Sequence, residues 1–309
     1  MNSKSISVVY DGWPLAYQPN SSAALHLLAI LAHLPAGVNP AVALPAPPPE
    51  WLQGVPAIAH PTPNTPAGRL RWEQQALPRL APRVNAQILH LTHLSAPLFG
   101  NIPNVISPCE VNDPEPREKQ IVPGRASPLA ERLREALARG GLVRAGGILW
   151  PEGMPGPGLP APAFSLPQVV HPAFYPDQEP GRILRKNGSQ SVQAEWSQLD
   201  LPETYILYHG PGNDRGLRRL LQAWSWAAGP VGDYHPLLLL GLGNPAQARL
   251  AELVREYDLA GTVRAMPGVS PPMVAALYRG CAALFHPAPI SPWGSPVTHA
   301  LACGKPVVA

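Results

Sequence analysis

The second half of this sequence alternates short, fully apolar segments with segments whose apolar residues recur every three or four positions. The clearest apolar segment is Leu237–Leu240, and the clearest amphipathic segment runs from Asp214 to Trp224. Strands that are apolar at every position are buried on both faces, which is typical of a parallel sheet covered by helices. The alternation therefore predicts an α/β protein with a doubly wound parallel sheet, because the right-handed crossover rule leaves few other topologies.

The same alternation predicts the other elements of this half. Strands are expected at Tyr205–Tyr208, Leu237–Leu240, Thr262–Ala265, Ala283–Phe285 and Pro306–Val308. Asp214, Asn244 and Ser270 are expected to cap three helices, and a fourth helix is expected over Pro296–Ala302. The chain stops at Ala309, in or directly after a strand and without a closing helix, so we expect the second domain to be incomplete at its C-terminus.

The first half shows the same kinds of element at less regular spacing. Strands are expected at Ile6–Val9, Ile88–Leu91, Val105–Ser107, Gly147–Trp150 and Gln168–His171. Helices are expected over residues 22–33, 69–80 and 127–139. Gly140-Gly141 is the stop signal of the third helix. The segment Pro35–Pro66 holds ten of the chain's 43 prolines and shows no period, which predicts a long loop.

The length and one polar stretch predict the division into domains. A chain of 309 residues has a prior of about two domains. The stretch Asp177–Asp200 is polar and punctuated by glycine, which is typical of a linker. We therefore expect domains at residues 1–176 and 201–309, joined by a linker at 177–200.

The charge balance and the cysteines exclude several classes of protein. The 23 basic and 20 acidic residues are spread along the chain, and no Lys/Arg cluster suggests a nucleic-acid partner. Cys109, Cys281 and Cys303 have the spacing of neither a disulfide framework nor a CxxC metal site. The most apolar early stretch, Ala23–Leu34, is shorter than the roughly 20 residues that span a bilayer, and no signal peptide is visible. These features are typical of a cytoplasmic protein.

Two glycine-containing turns are candidate phosphate sites. Residues 241–246 match the GxGxxA dinucleotide pattern, but Asp258, the expected acid, falls at a helix end, so an ordinary strand-to-helix turn is the preferred interpretation. The loop His209–Gly216 lacks the spacing of a P-loop. Its backbone N–H groups could hold a phosphate with Arg215 as the cation, and a plain capped turn is the equal alternative.

Several polar residues follow the strands of the first half. His90, His93, Cys109 and Glu110 come at strand ends, where sites assemble in parallel sheets. Their spacing is unlike any zinc pattern, so a metal site is not expected. Glu110 is a candidate general base, and a solvated loop carboxylate is the alternative.

The C-terminal stretch Val263–Ala309 ends in SPWGSPVTHALACGKPVVA and resembles the donor-binding end of the retaining glycosyltransferase family 4, also called group 1. Upstream, Tyr205–Trp224 is similar to the strand and helix around that family's "GR" turn, and Trp72-Glu73-Gln74 with Leu77-Pro78 is similar to a stretch of some members. The resemblance implies two Rossmann-like domains in the GT-B arrangement. The first would lie on the acceptor side, and the second would bind the nucleotide-sugar donor.

The resemblance also implies donor-binding positions, and the sequence departs from the family at most of them. The glutamates that bind the donor sugar and the ribose correspond to Ser291 and His299. The arginine that clamps the diphosphate corresponds to Pro211, and its partner lysine corresponds to Arg215. The expected donor-binding residues are Gly210, Gly212, Arg215, Ser291, Gly294 and His299.

The catalytic positions are expected in the first domain. The family's His-Asp pair, whose histidine faces the reacting sugar, corresponds to Cys109-Glu110, so both are expected catalytic residues, with Glu110 as the acid/base. The resemblance implies no metal or other cofactor, because cationic side chains and helix N-termini neutralise the leaving group.

Functions of different classes fit this sequence. The first is transfer of a hexose from a nucleotide-sugar donor to a glycan or lipid-linked acceptor with retention, and such an acceptor allows a peripheral membrane association. The second is a GT-B protein that has lost catalysis and acts as a binding or scaffold subunit, which the replaced glutamates suggest. A third interpretation is other GT-B chemistry, such as sugar-nucleotide epimerisation.

Overall fold

A computed structural model describes residues 5–52, 54–109, 133, 136–137, 140–154, 161–176, 195–210, 212–288 and 290–309. The chain divides into two compact units. The first consists of Met1–Gln18 and His26–Val169, and the second of Pro19–Leu25 and Val170–Ala309. Each unit is built on a parallel sheet, which confirms the predicted α/β class.

The sheet of the first unit has seven strands in the order β3-β2-β1-β4-β5-β6-β7, all parallel. They are β1 (Ile6–Asp11), β2 (Val38–Leu44), β3 (Ala57–Ala59), β4 (Ile88–Leu91), β5 (Asn104–Ile106), β6 (Gly147–Pro151) and β7 (Ala163–Leu166). The helices are α1 (Trp13–Tyr17), α2 (Ser22–Ala32, which begins in the segment assigned to the second unit), α3 (Pro66–Arg71) and α4 (Leu77–Leu80). A π turn lies at Trp72–Ala76, and 3₁₀ turns lie at Glu50–Leu52 and Ala81–Val84. The strand order reverses between the neighbours β1 and β4, which makes this pair the topological switch point of the sheet.

The predicted loop over Pro35–Pro66 is wrong, because this segment contains β2 and β3. Pro40 lies inside β2, but β3 pairs only with Val42–Leu44. The N–H of Val42 donates to the carbonyl of Pro56 at 2.8 Å, and the nitrogen of Pro40 faces the same side before β3 begins. A proline is tolerated there because no ladder hydrogen bond is lost. The high proline content therefore led to a loop being predicted where the structure has two strands.

The predicted strand at Gln168–His171 is also wrong. The seventh strand is Ala163–Leu166, where no strand is predicted. All four of its residues are exposed, because β7 is the edge strand of the sheet. An edge strand that is exposed on both faces lacks the apolar pattern by which a buried strand is predicted.

The stop signal predicted at Gly140-Gly141 is wrong as well, because residues 140–143 are helical. A Cβ on Gly141 would lie 2.3 Å from the carbonyl oxygen of Ala96, so close packing requires a glycine there. The predicted start of this helix, at Ser127, lies outside the described residues.

The sheet of the second unit has five strands in the order β10-β9-β8-β11-β12, also all parallel. They are β8 (Ile206–His209), β9 (Leu237–Leu240), β10 (Val263–Ala265), β11 (Ala283–Phe285) and β12 (Val307–Val308). The helices are α5 (Asp214–Ala227), α6 (Asn244–Glu256), α7 (Pro271–Gly280) and α8 (Pro296–Ala302), with a π turn at Ala228–Gly232 and a 3₁₀ turn at Pro172–Phe174. Every strand and helix predicted for this half is confirmed. The predicted linker lies outside the described residues up to position 194, and residues 195–198 form a helical turn.

The capping residues agree only in part with those predicted. Ser270 caps α7 as expected. The cap of α5 is Asn213 rather than Asp214, because the Asn213 side chain accepts a hydrogen bond from the N–H of Gly216. The cap of α6 is Gly243 rather than Asn244.

The core of the second unit lies on both faces of its sheet. Leu238 and Leu240 of β9 pack into one apolar cluster with α7, and Leu237 and Leu239 pack into another with α5 and α6. All four side chains are fully buried, which is the arrangement predicted from the unbroken apolar run.

Candidate functional site

The switch point of the second sheet lies between β8 and β11, which are hydrogen-bonded neighbours. Ligands of open parallel sheets bind outside the carboxyl ends of the strands at such a point. Three of the predicted donor-binding residues follow β8 and three follow β11. They are Gly210, Gly212 and Arg215 after β8, and Ser291, Gly294 and His299 after β11.

The two glycines after β8 are required by packing within the protein. A Cβ on Gly210 would lie 2.6 Å from the Tyr208 hydroxyl oxygen, and one on Gly212 would lie 2.9 Å from the side chains of Ala246 and Leu242. Their backbone therefore lies in close contact with neighbouring side chains. Pro211, which stands between them, is outside the described residues.

The first turn of α5 is rich in charge. Asp214 accepts hydrogen bonds from the guanidinium groups of Arg249 and Arg218, the latter at 3.1 Å. Burial tends to raise the pKa of Asp214, but these two hydrogen bonds outweigh it and lower that pKa below its ordinary value. Arg218 and Arg249 are thus both paired with a carboxylate. Arg215 lies exposed on the same turn.

The segment before α8 is held tightly against the start of α2, within the second unit. Gly294 has φ +61°, and a Cβ there would lie 2.0 Å from the carbonyl oxygen of Ser22. Trp293 on one side of it and Ser295 on the other are buried, whereas Ser291 is only half-buried. A glycine is therefore needed at position 294 both for its backbone conformation and for space.

Replacing Gly294 with alanine should lower the free energy of unfolding by about 2–4 kcal/mol. The added Cβ would have to displace the backbone of Ser22, and the alanine would have to adopt a strained positive φ. Denaturant unfolding followed by tryptophan fluorescence measures this. Gly268→Ala is the matched control, since a Cβ at that loop position meets nothing within 4 Å. A stability of Gly294→Ala equal to that of the control would contradict the described backbone.

An aromatic and histidine cluster lies beneath this segment. The ring of His299 stacks on Phe174, with centroids 4.3 Å apart, and its centroid is 5.9 Å from that of Tyr278. His299 is 1% exposed, and burial lowers its pKa to about 3. The ring is therefore neutral at pH 7. The sequence predicted His299 as a ribose-binding residue, but it did not predict the contacts of this ring with Phe174 and Tyr278.

His209, the last residue of β8, joins the same cluster. Its Nε2–H donates to the Asn20 carbonyl at 2.5 Å, so its Nδ1 accepts from the Tyr278 hydroxyl at 2.9 Å. A carbonyl can only accept, and this fixes the tautomer of the ring. Burial lowers the pKa of His209 to about 4. This residue was not predicted as a site residue, although a polar residue ending an apolar strand is a visible signal.

Several buried polar atoms of the second unit have no hydrogen-bond partner among the described residues. Oδ1 of Asn20, Oγ of Ser295 and Nδ1 of His299 are among them. A buried polar atom without a partner costs about 1–3 kcal/mol. Such atoms are satisfied by ordered water or by a ligand.

The predicted catalytic pair lies after β5 of the first unit. Cys109 is 2% exposed, and its thiol donates to the Ser107 carbonyl at 3.4 Å. Glu110 lies outside the described residues.

The switch point of the first sheet carries a polar array of which sequence analysis named His93 but neither Asp11 nor Ser95. Asp11 is the last residue of β1, and His93 and Ser95 follow β4. The Nε2–H of His93 donates to Oδ2 of Asp11 at 2.7 Å, and the Ser95 hydroxyl oxygen lies 2.9 Å from Nδ1 of the same ring, within hydrogen-bond distance. All three residues are at least 95% buried. The signal in the sequence was Asp11, a charged residue that ends an apolar strand.

A second array lies beside the first. The Ser107 hydroxyl lies 3.0 Å from Nε2 of His26 and 3.0 Å from Nε2 of His90, so it donates to one ring and accepts from the other. Burial lowers the pKa of His90 to about 4, against a smaller opposing effect of Asp11. His90 and His93 thus belong to different arrays. Among the residues that the structure describes, no three His, Cys, Asp or Glu side chains are placed to hold a metal ion.

Two residues of the π turn hold the end of β1 and the loop after β4, and the residue between them binds α3. Nε1–H of Trp72 donates to Oδ1 of Asp11 at 2.8 Å. Oε1 of Glu73 accepts from Nε of Arg69 at 2.9 Å. The Gln74 side chain accepts from the backbone N–H of Leu98 at 2.9 Å and donates to the backbone carbonyl of Ala96. The Trp-Glu-Gln stretch therefore positions the loop that contains Ser95.

Comparison with known proteins gives a family match in the second unit and similar folds for the chain. Residues 197–309 match the family described as Glycosyl transferases group 1. The structure is similar to sucrose-phosphate synthase from Thermosynechococcus elongatus, with a TM-score of 0.61 and 15% identity over 98% of this chain and 80% of that chain. It is also similar to Anabaena HepE in complex with UDP and glucose, with a TM-score of 0.59 and 14% identity over 98% of this chain and 80% of that one.

A third similar structure is WaaG, a glycosyltransferase involved in lipopolysaccharide biosynthesis, with a TM-score of 0.57 and 14% identity over 97% of this chain and 80% of that chain. At these identities the likeness shows the fold, and it confirms the expected GT-B class. A search with the sequence finds no matching curated protein. Among the described residues, no helix combines the length and the apolar character that crossing a membrane requires.

Proposed function

Because residues 197–309 match the group 1 glycosyltransferase family, we propose that this chain transfers a hexose from a nucleotide-sugar donor to a glycan or lipid-linked acceptor, with retention of anomeric configuration. The observation that carries the proposal is the position of the expected donor-binding residues. All six follow the two strands that flank the switch point of the second sheet, inside the segment that matches the family.

The groups after β8 suit the diphosphate of such a donor. Gly210 and Gly212 would offer backbone N–H groups, and Arg215 would offer a charge-assisted hydrogen bond to the phosphate oxygens. Negative charge builds on the diphosphate as the sugar leaves, so a cation here stabilises the transition state as well as the bound donor. Arg218 and Arg249 lie near this turn and are bound to Asp214.

The groups after β11 suit the sugar and the ribose. Ser291 and His299 would line these two ends of the donor, and the small Gly294 would let it approach the backbone. The unpartnered atoms Oγ of Ser295, Nδ1 of His299 and Oδ1 of Asn20 support a polar ligand in this part of the second unit. In the first unit, Cys109 would face the reacting sugar, and Glu110 would act as the acid/base.

Similarity to a structure solved with UDP and glucose makes UDP-glucose the first donor to test. The experiment is a mass-detected transfer assay across UDP- and GDP-sugars with glycan and lipid-linked acceptors, with the anomeric configuration of the product determined by NMR. Turnover with retention would support the proposal. Absence of turnover with every donor would overturn it, and a chain that then binds no nucleotide would favour the scaffold alternative.

Replacing Arg215 with alanine should weaken donor binding about tenfold to a hundredfold, because one charge-assisted hydrogen bond contributes about 1.5–3 kcal/mol. Isothermal titration calorimetry with UDP-glucose and with UDP measures the change. Arg219→Ala is the matched control, since Arg219 is an exposed arginine one turn further along α5. Equal affinities for the two variants would remove Arg215 from the donor site.

A further inference from the structure

Two strongly exposed aromatic side chains lie at the end of α5 and just after it, in the second unit. Trp226 is 85% exposed and Tyr234 is 77% exposed. Pro230, which is also exposed, stands midway between them, so the three follow at intervals of four residues in a segment that is helical up to Gly232. Residues at this spacing share one side of a helix. The three residues form an apolar surface, which we call the aromatic end of α5.

Contacts within the second unit hold this surface at the amino edge of the sheet. Thr262, which precedes β10, accepts a hydrogen bond from Nε1–H of Trp224 at 3.4 Å. The same threonine packs against the π turn, since a Cβ on Gly232 would lie 2.8 Å from its side chain. The hydroxyl of Thr204, which precedes β8, donates to the carbonyl of Tyr234 at 2.7 Å. The expected donor-binding residues follow the strands, so the aromatic end of α5 lies at the opposite edge of the sheet.

The exposed face of α5 that leads to this surface carries positive charge. Arg219 is exposed on the same face as Trp226, seven residues before it. From residue 215 to residue 235 the sequence has three arginines and one acid, Asp233. One of these arginines, Arg218, is bound to two carboxylates, and the other two outnumber the exposed acid. The aromatic end of α5 therefore lies beside an excess of positive charge.

These features fit an anionic lipid surface better than a second copy of this chain. Tryptophan and tyrosine are enriched where proteins meet the membrane–water interface, because each has an apolar ring and a polar group that stays hydrated. Basic residues beside them attract the anionic headgroups of lipids. In a symmetric dimer through this surface, the positive face of one copy would meet the same positive face of the other, and like charges repel.

We propose that the aromatic end of α5 docks on a bilayer that contains anionic lipids. Trp226 and Tyr234 enter the headgroup region, and Arg219 binds the phosphate groups of the lipids. Because the expected donor-binding residues lie at the other edge of the second sheet, docking leaves them uncovered. The proposal goes beyond the proposed function, since binding to a membrane through this surface requires no transfer activity.

Co-sedimentation of the full chain with lipid vesicles tests the proposal. Vesicles of phosphatidylcholine mixed with phosphatidylglycerol should bind the protein more tightly than phosphatidylcholine alone, and added salt should weaken the binding. Trp226→Ala should weaken it about tenfold and Arg219→Ala about fivefold. The matched controls are Phe99→Ala and Arg79→Ala, exposed residues of the same kinds in the first unit. Equal losses in the controls, or no preference for the anionic vesicles, would overturn the proposal.

Fluorescence quenching by brominated lipids identifies the residue that enters the bilayer. The parent protein on anionic vesicles should be quenched, and Trp226→Phe, which keeps an aromatic ring at this position, should bind the vesicles but lose the quenching. Quenching that persists in Trp226→Phe would place a different tryptophan in the membrane and contradict the proposal. Sedimentation of the protein without lipid covers the other occupant, because a dimer that Trp226→Ala abolishes would assign this surface to a second copy instead.

Discussion

Replacing Asp11 with alanine should lower the free energy of unfolding by about 3–5 kcal/mol, the largest single-residue effect that we expect in the first unit. The carboxylate is 1% exposed and accepts hydrogen bonds from His93, Trp72 and the backbone of Trp13. Its removal would leave three donors buried without an acceptor, and each costs the desolvation of its polar group. Denaturant unfolding at pH 7 measures the loss.

Asp11→Asn is the matched variant, because its amide oxygen can still accept from Trp72 and Trp13. We expect it to lose about half as much stability. The sign of the pH dependence follows from the pKa of Asp11, which is lower in the folded chain than in the unfolded one. Its contribution is therefore present above the unfolded pKa of about 3.9 and is lost as the pH falls through the folded pKa. An Asp11→Ala variant as stable as the parent protein would show that the buried array is not formed.

Acidification from pH 7 to pH 5 should destabilise the protein more steeply than its surface charges can explain. Burial lowers the pKa of His90 and of His209 to about 4, and that of His299 to about 3, from an ordinary 6.5. At pH values between the lowered pKa of the folded chain and the ordinary pKa of 6.5, the unfolded chain binds protons that the folded chain does not. The free energy of unfolding therefore falls as the pH falls below 6.5. Each histidine contributes up to about 1.4 kcal/mol per pH unit, or about 2 kcal/mol at pH 5.

His299→Phe isolates one of these contributions. Phenylalanine keeps the stacking on Phe174 and the contact with Tyr278 but cannot bind a proton. The slope of unfolding free energy against pH, measured by urea titration from pH 7 to pH 5, should fall by about a third. His33→Gln, a replacement of an exposed histidine, is measured beside it for comparison. An unchanged slope in His299→Phe would place that ring in contact with water.

The fold of the second unit is predictable from its sequence because its central strands β8 and β9 are largely buried. Leu237–Leu240 carries an apolar residue at every position, and the structure places those side chains in clusters on both faces of the sheet. In the first unit the same rule fails where a strand is not buried. β7 is an exposed edge, and β2 contains Pro40 at a position where no ladder bond is needed.

The residues of the candidate site that directly follow predicted strands could be predicted from the sequence. The residues after β8 and β11 fall next to strands that the pattern predicts, so their convergence on one switch point follows from topology. The array at Asp11 was not predictable in the same way. Its members come from positions 11, 93 and 95, and the hydrogen bonds between them depend on side-chain orientation, which hydrophobic periodicity does not encode.

The assignment of Pro19–Leu25 to the second unit has a consequence for how the protein is made. His209 takes its carbonyl acceptor from Asn20, and the backbone of Gly294 is fitted against Ser22, so this short segment completes a domain whose remainder starts at Val170. During translation this segment leaves the ribosome early, and it can pack in its final position only after the residues from Val170 onward have been synthesised. Excision of residues 170–309 for separate expression would leave His209 without that acceptor, whereas adding back a peptide of residues 19–25 would supply it.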